Sequence, residues 1–176
     1  MRKLRTIEIE RLTVSEFRQA AKMPLTVVLD DVRSMHNVGS VLRTADAFRV
    51  SEVVLCGITG TPPHPEIHKT ALGAEDSVTW RYASSAVEAV RQLRASGCTV
   101  LSVEQAEGAT LLPDFEAAPG RHYAIVLGNE VKGVHQEVID ASDACLEIPQ
   151  LGTKHSLNVS VTAGIVIWHF ARQLMF

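Results

Sequence analysis

The 176-residue chain is poor in cysteine, in surplus basic charge and in long apolar runs. Its three cysteines, Cys56, Cys98 and Cys145, are too widely spaced for a disulfide framework or a thiolate metal site. Two of them end apolar runs, where a free thiol behaves as a small buried hydrophobe, so a reducing, cytoplasmic location is expected. The charged N-terminus lacks the apolar core of a secretory leader. The most apolar stretch, Val159 to Phe170, is broken by Ser160, Thr162 and Gly164 and falls short of the ~20 residues that span a bilayer. It reads as a buried helix, and no membrane partner is expected. Net charge is −3, so there is no global basic signature. The balance is uneven, however. Residues 1–22 carry six Lys/Arg against three Glu, which points to a polyanionic partner or simply to a solvated helix face.

Several motifs are missing as well. No G-x-G-x-x-G occurs, which argues against the usual dinucleotide fold. Gly128 and Gly133 have the separation of a phosphate-binding loop, but Val134-His135 replaces the required Lys-Ser/Thr. His64 and His68 are spaced to share a helix face, yet Pro65 lies between them and no third ligand is evident, so no metal is expected. Ser156 has His155 beside it, but neighbours at a helix start do not face each other, and no nucleophile elbow appears.

What is present is an alternation of strands and helices. With 46% apolar and 21% charged residues, the composition is that of one soluble globular domain. A weak helical pattern over residues 8–22 ends at Pro24. Strands are predicted at Thr26–Leu29, Glu52–Cys56, Ser77–Trp80, Thr99–Val103, His122–Leu127 and Cys145–Ile148. Helices are predicted from Asn37 to Arg49, His64 to Leu72, Ser85 to Ser96, Val134 to Ser142, and from Ser156 to about Leu174. Residues 104–120 read as loop with at most one turn of helix. This order predicts an α/β fold, a mostly parallel sheet with helices on both faces. The expected organisation is a short basic helical segment, 1–24, followed by a single domain, 25–176.

In such sheets ligands sit outside the carboxyl ends of the strands. The loops after Leu29, Val103, Leu127 and Ile148 hold the most unusual polar residues. The first cluster is His36 to Arg43, where Asn37 fits a helix N-cap, Gly39 permits close backbone approach, and Arg43 is wrongly placed for the helix dipole and better explained by an anionic partner. The second is Leu127 to Val134, whose Glu130 alone would read as a solvated carboxylate. The third is Cys145 to Phe170, where Ser156 and Asn158 stand at the head of a buried helix. Ser156 is read either as its N-cap or as a functional hydroxyl.

Taken together, HNVGSVLR (36–43), IVLGNEVKGV (125–134) and LEIPQLGTKHSLNVSVTAGI (146–165) resemble, in order, the three motifs of the SpoU/TrmH family of RNA ribose methyltransferases, within the SPOUT superfamily. The likeness covers about residues 25–172. It implies a C-terminal part threaded into a deep trefoil knot, which rules of topology treat as exceptional. It implies a homodimer, for which the nearly all-apolar last helix suits a second buried face. It implies S-adenosylmethionine held by Val103, Leu127, Gly128, Asn129, Ile148 and Leu157. It implies methyl transfer to a ribose 2′-hydroxyl of tRNA or rRNA, with Arg43, Asn37, Glu130, Ser156 and Asn158 as the catalytic set and no metal. The RNA would dock on the basic segment, the 58–72 loop and the dimer surface. Two other readings stand beside this one: a non-catalytic RNA-binding dimer of the same fold, and a small-molecule nucleotide-binding α/β enzyme.

Overall fold

The structure, a computed structural model, describes residues 1–176 apart from the side chain of Thr6. After a 3-10 turn at Thr6–Glu8, the elements in chain order are α1 (Val14–Gln19), β1 (Met23–Asp30), α2 (Met35–Ala47), β2 (Val50–Cys56), α3 (Pro65–Ala71), α4 (Ala74–Ser77), β3 (Trp80–Ala83), α5 (Ala86–Ala95), β4 (Thr99–Val103), β5 (Thr110–Leu111), β6 (Tyr123–Leu127), α6 (Gln136–Ala141), β7 (Ala144–Glu147) and α7 (Val159–Leu174). The strands form one seven-stranded sheet in the order β3-β2-β1-β6-β4-β7-β5, and every pairing is parallel.

Strand alternation divides the core. Val27, Leu29, Ile125 and Leu127 point into the larger layer with α2, α3 and α7. Val28, Ala124 and Val126 point the other way, against α5 and α6. A strand covered on both faces has no polar side, and this is why YAIVL reads as an unbroken apolar run. Helix α7 contributes Ala163, Val166, Ile167 and Phe170 to the larger layer, all fully buried. The Phe170 ring lies 5.3 Å from Tyr123 and 5.5 Å from Phe115. Gln173 anchors the same stretch, its Oε1 accepting the amide of Ala117 at 2.8 Å.

The fold class is as expected, and several boundaries are not. The N-terminal helix is the six-residue α1 rather than 8–22. It is set by a capping box in which Thr13 accepts from the Glu16 amide and Glu16 accepts from the Thr13 amide, a T-x-x-E signature legible in the sequence. Pro24 lies inside β1, where the register to β2 is irregular and a missing N–H is tolerated. The third strand is Trp80–Ala83, because α4 takes Ala74–Ser77. The edge strand β5 has two residues, too few to show a period. Helix α2 is capped by Ser34, whose hydroxyl accepts from the Asn37 amide at 3.3 Å, so Asn37 sits in the first turn and is not the cap. Helix α7 is capped by Asn158, not Ser156. Gly39 does permit a close approach, but to α3: a Cβ there would lie 2.3 Å from the Ile67 carbonyl.

Candidate active site

Strands β1, β6, β4 and β7 lie side by side, so the loops leaving their carboxyl ends converge. After β7 the chain crosses this edge through residues 148–158 and enters α7, which packs on α2, β1 and β6. The loops enclose a cavity of about 300 Å³. Its wall contains Val103, Leu127, Gly128, Asn129, Ile148 and Leu157, all six of the residues expected to hold a donor molecule, together with Glu130 and Ser156.

Three predicted polar residues meet at the junction of these loops. Asn158 Nδ2 donates to Asn37 Oδ1 at 3.2 Å, and Asn37 Nδ2 donates to Glu130 Oε1 at 2.9 Å. The amides of Ser34 and Arg33 also donate to the two Glu130 oxygens, at 2.9 and 3.0 Å. Glu130 is therefore an anchored carboxylate rather than a solvated one. Partial burial pushes its carboxyl up, but the Arg33, Asn37 and Ser34 donors outweigh that and hold it below the usual carboxylate range. Asn158 serves two elements at once, since its Oδ1 also accepts the Ser160 amide at 2.8 Å and so caps α7.

The loop 128–134 closes on itself through two backbone bonds between Asn129 and Gly133, 3.0 and 2.9 Å. Gly128 makes this possible, because a Cβ there would stand 2.1 Å from the Val134 nitrogen. Asn129 ties the loop to the end of β1, donating to the Asp31 carbonyl at 2.7 Å. Glu104, directly after β4, is a cavity residue that sequence reasoning did not single out. One of its oxygens accepts the Val134 amide and the other the Gln105 amide, both at 2.9 Å. An acidic residue immediately following a strand that ends at the crevice was the available signal. Gln105 reaches across to the opposite loop, donating to the His155 carbonyl at 2.7 Å.

Arg43 is not brought into this cavity by its own chain. It lies six residues beyond Asn37 on α2, about 9 Å along the axis and roughly 240° around it. It is exposed and lines a separate groove of about 860 Å³ with Leu12, Asp46, Arg49 and Leu72. Among the described residues no carboxylate pairs with it. Ser156 is exposed on the cavity wall.

The two histidines weighed as ligands have other partners: His64 Nδ1 accepts the Glu66 amide at 3.2 Å, and His68 pairs with Glu75. A different group, Asp30, Asp31 and His135, is close enough for a metal to be considered. Nδ1 of His135 faces Asp30 at 2.9 Å and Nε2 faces Asp31 at 3.9 Å, contacts that a histidine and two carboxylates make without an ion. With the His135 amide also on Asp30 at 3.0 Å, the group ties α6 to β1.

The profile of the SpoU rRNA Methylase family matches residues 24–168. The chain is 34% identical over 167 residues to a tRNA (guanosine(18)-2′-O)-methyltransferase of Thermus thermophilus, covering 94% of this chain and 84% of that protein. It is 35% identical over 149 residues to a 23S rRNA (guanosine-2′-O-)-methyltransferase of Nitrosomonas europaea, covering 85% of this chain but 56% of that longer relative. An AdoMet-bound rRNA methyltransferase from Sinorhizobium meliloti superposes with a TM-score of 0.81 at 28% identity, covering 91% of this chain and 61% of that one. With the fold, three motifs meeting at one sheet edge and these relatives in agreement, the chain belongs to the SpoU rRNA methylase family.

Proposed function

We propose that this protein transfers a methyl group from S-adenosylmethionine to a ribose 2′-hydroxyl of tRNA or rRNA, acting as a homodimer in the cytoplasm. The observation that carries the reading is the single cavity at the carboxyl ends of β4, β6 and β7, walled by every residue expected to hold the donor. The residues present fit that molecule. A cavity of about 300 Å³ is at the small end of ligand pockets, ~300–1,000 Å³. Its two carboxylates, Glu104 and Glu130, set against the one cation Lys132, suit a guest that carries both a cationic sulfur and a carboxylate, and its apolar side chains suit a nucleoside. When bound, S-adenosylmethionine supplies an electrophilic methyl on a cationic sulfur, with a neutral leaving group.

The protein's own part is positioning and charge. Leu127, Ile148 and Leu157 exclude water, and the 127–129 and 148–157 backbone fixes the guest. Asn37, Glu130 and Asn158 lock three loops into one frame, and Ser156 and Asn158 stand where the acceptor ribose must enter. Arg43 donates hydrogen bonds to the attacking oxygen and an adjacent phosphate, stabilising negative charge as the hydroxyl proton passes to solvent water and the methyl–sulfur bond breaks to leave a neutral thioether. A guanidinium with a pKa above ~12 is a poor base, so Arg43 holds the oxygen rather than taking its proton.

Because Arg43 lies outside the cavity of its own chain, it is supplied across a twofold axis. The apolar outer stripe of α7, with Val161, Ile165 and Trp168 exposed, supports such a dimer. The crossing segment 148–158 is the part we read as the threaded loop of a deep trefoil knot. No helix is long and apolar enough to cross a membrane. Radiolabelled methyl transfer to fractionated tRNA and rRNA, with primer-extension mapping of the product, tests the proposal. Transfer to a 2′-hydroxyl is expected, and the reading falls if no RNA fraction is labelled.

A further inference from the structure

The lining of the cavity holds two carboxylates, Glu104 and Glu130, and one cation, Lys132. Around the rim three loops meet, 31–34, 129–133 and 148–158, and each carries an exposed cation: Arg33, Lys132 and Lys154. Among the described residues no carboxylate lies within ion-pair distance of any of the three. Two of these loops also hold up a bare aliphatic side chain. Val131, beside Lys132, is 79% exposed, and Leu151, three residues before Lys154, is 103% exposed. The crest of the second loop stands clear of the rest of the chain, since nothing lies within 4 Å of a Cβ placed on Gly152.

Most of the cations in the segments expected to dock RNA have partners within the chain. Arg2 and Arg5 both reach Glu8, at 2.9 and 3.4 Å. Arg18 donates to the Asp76 carbonyl at 2.6 Å, Lys22 sits 3.5 Å over the Phe17 ring, and Lys69 pairs with Glu66.

We propose that this rim, with Arg33, Lys132 and Lys154 on phosphates and Val131 and Leu151 against base or ribose faces, docks the single-stranded RNA that flanks the acceptor nucleotide. A nucleic-acid strand offers that alternation of anionic backbone and apolar face. The inference rests on the RNA methyltransferase reading and specifies where its substrate lies.

The test is binding of a fluorescein-labelled single-stranded oligouridylate across a salt series. Each of Lys132→Ala and Lys154→Ala should lower the slope of log K against log salt by about one and weaken binding several-fold at low salt. Val131→Ser with Leu151→Ser should weaken binding without changing the slope. Arg5→Ala should leave the slope unaltered. S-adenosylmethionine binding, read by thermal shift, should match wild type in Lys154→Ala and Arg5→Ala, and an unchanged melting temperature without ligand shows that each variant is folded. The proposal is overturned if the lysine variants keep the wild-type slope, if Arg5→Ala lowers it as much, or if Lys154→Ala weakens donor binding instead. A wild type that binds the probe as described but methylates no RNA would sink the catalytic reading and leave the docking surface standing.

Discussion

Arg43 and Glu130 are both polar residues of the shared motifs, and their surroundings give them opposite roles. Glu130 accepts three hydrogen bonds, from Arg33, Ser34 and Asn37, and acts as a strut. Its carboxyl is held below the value of ~4.3 it has when unfolded. A depressed carboxyl stabilises the fold fully above the unfolded pKa and loses that contribution as pH falls through the folded one. Glu130→Gln should therefore melt below wild type at neutral pH, and the difference should shrink as the pH drops below about 4. A pH-independent difference in calorimetry would show that the charge is not what anchors the loops. Arg43 has no such partners, and in the proposed reaction it contacts the acceptor. Arg43→Ala should cut turnover at least ~10²-fold while donor binding by calorimetry stays near wild type. Retained turnover would remove it from the catalytic set.

Among the elements, α7 does most to assemble the site. Its N-cap Asn158 also donates to Asn37, so one side chain starts the helix and joins it to the second loop of the site. Asn158→Ala should cost about 1 kcal/mol from the lost cap and lower turnover as well. Asn158→Ser can restore the cap but cannot span to Asn37, so denaturant midpoints should recover while turnover does not. If both recover, the link to Asn37 has no functional part. At the other end of the same face, Phe170→Ala empties a ring packed on Tyr123 and Phe115 and should cost roughly 3–5 kcal/mol, read by chemical denaturation. The elements were mostly legible in advance. Thr99–Val103 was read with its observed limits, the central strands show as short apolar runs, and the helices of the core show by their periods. Errors fell where local chemistry outweighs pattern: a capping box at Thr13, a proline accommodated within β1, a two-residue edge strand.

In the whole molecule, Arg43 is separated from the cavity that holds Glu130, and the proposed reaction therefore requires assembly. Trp168 is 48% exposed on the outer stripe of α7 and stacks on Phe48 and Phe176 at 5.6 and 5.8 Å. Ile165→Glu, in the middle of that stripe, places a charge where a second copy would sit. Sedimentation should show it as a monomer against a wild-type dimer, with donor binding retained and turnover lost. A monomeric wild type, or an active monomeric variant, would return Arg43 to its own subunit's cavity by some movement of α2.

The sequence by itself determined the α/β alternation, the parallel sheet, the crevice at the strand ends and the residue types gathered there. These follow from the period of apolar residues and from short polar motifs, both of which are local. Tertiary structure alone decided that Asn37, Glu130 and Asn158 form one hydrogen-bonded chain, that Glu104 shares their cavity, and that Arg43 points into a different groove. Those facts depend on how residues some 90 to 120 positions apart in the chain are brought together and on which side of a helix a side chain leaves. Neither is encoded in any window short enough to carry a period.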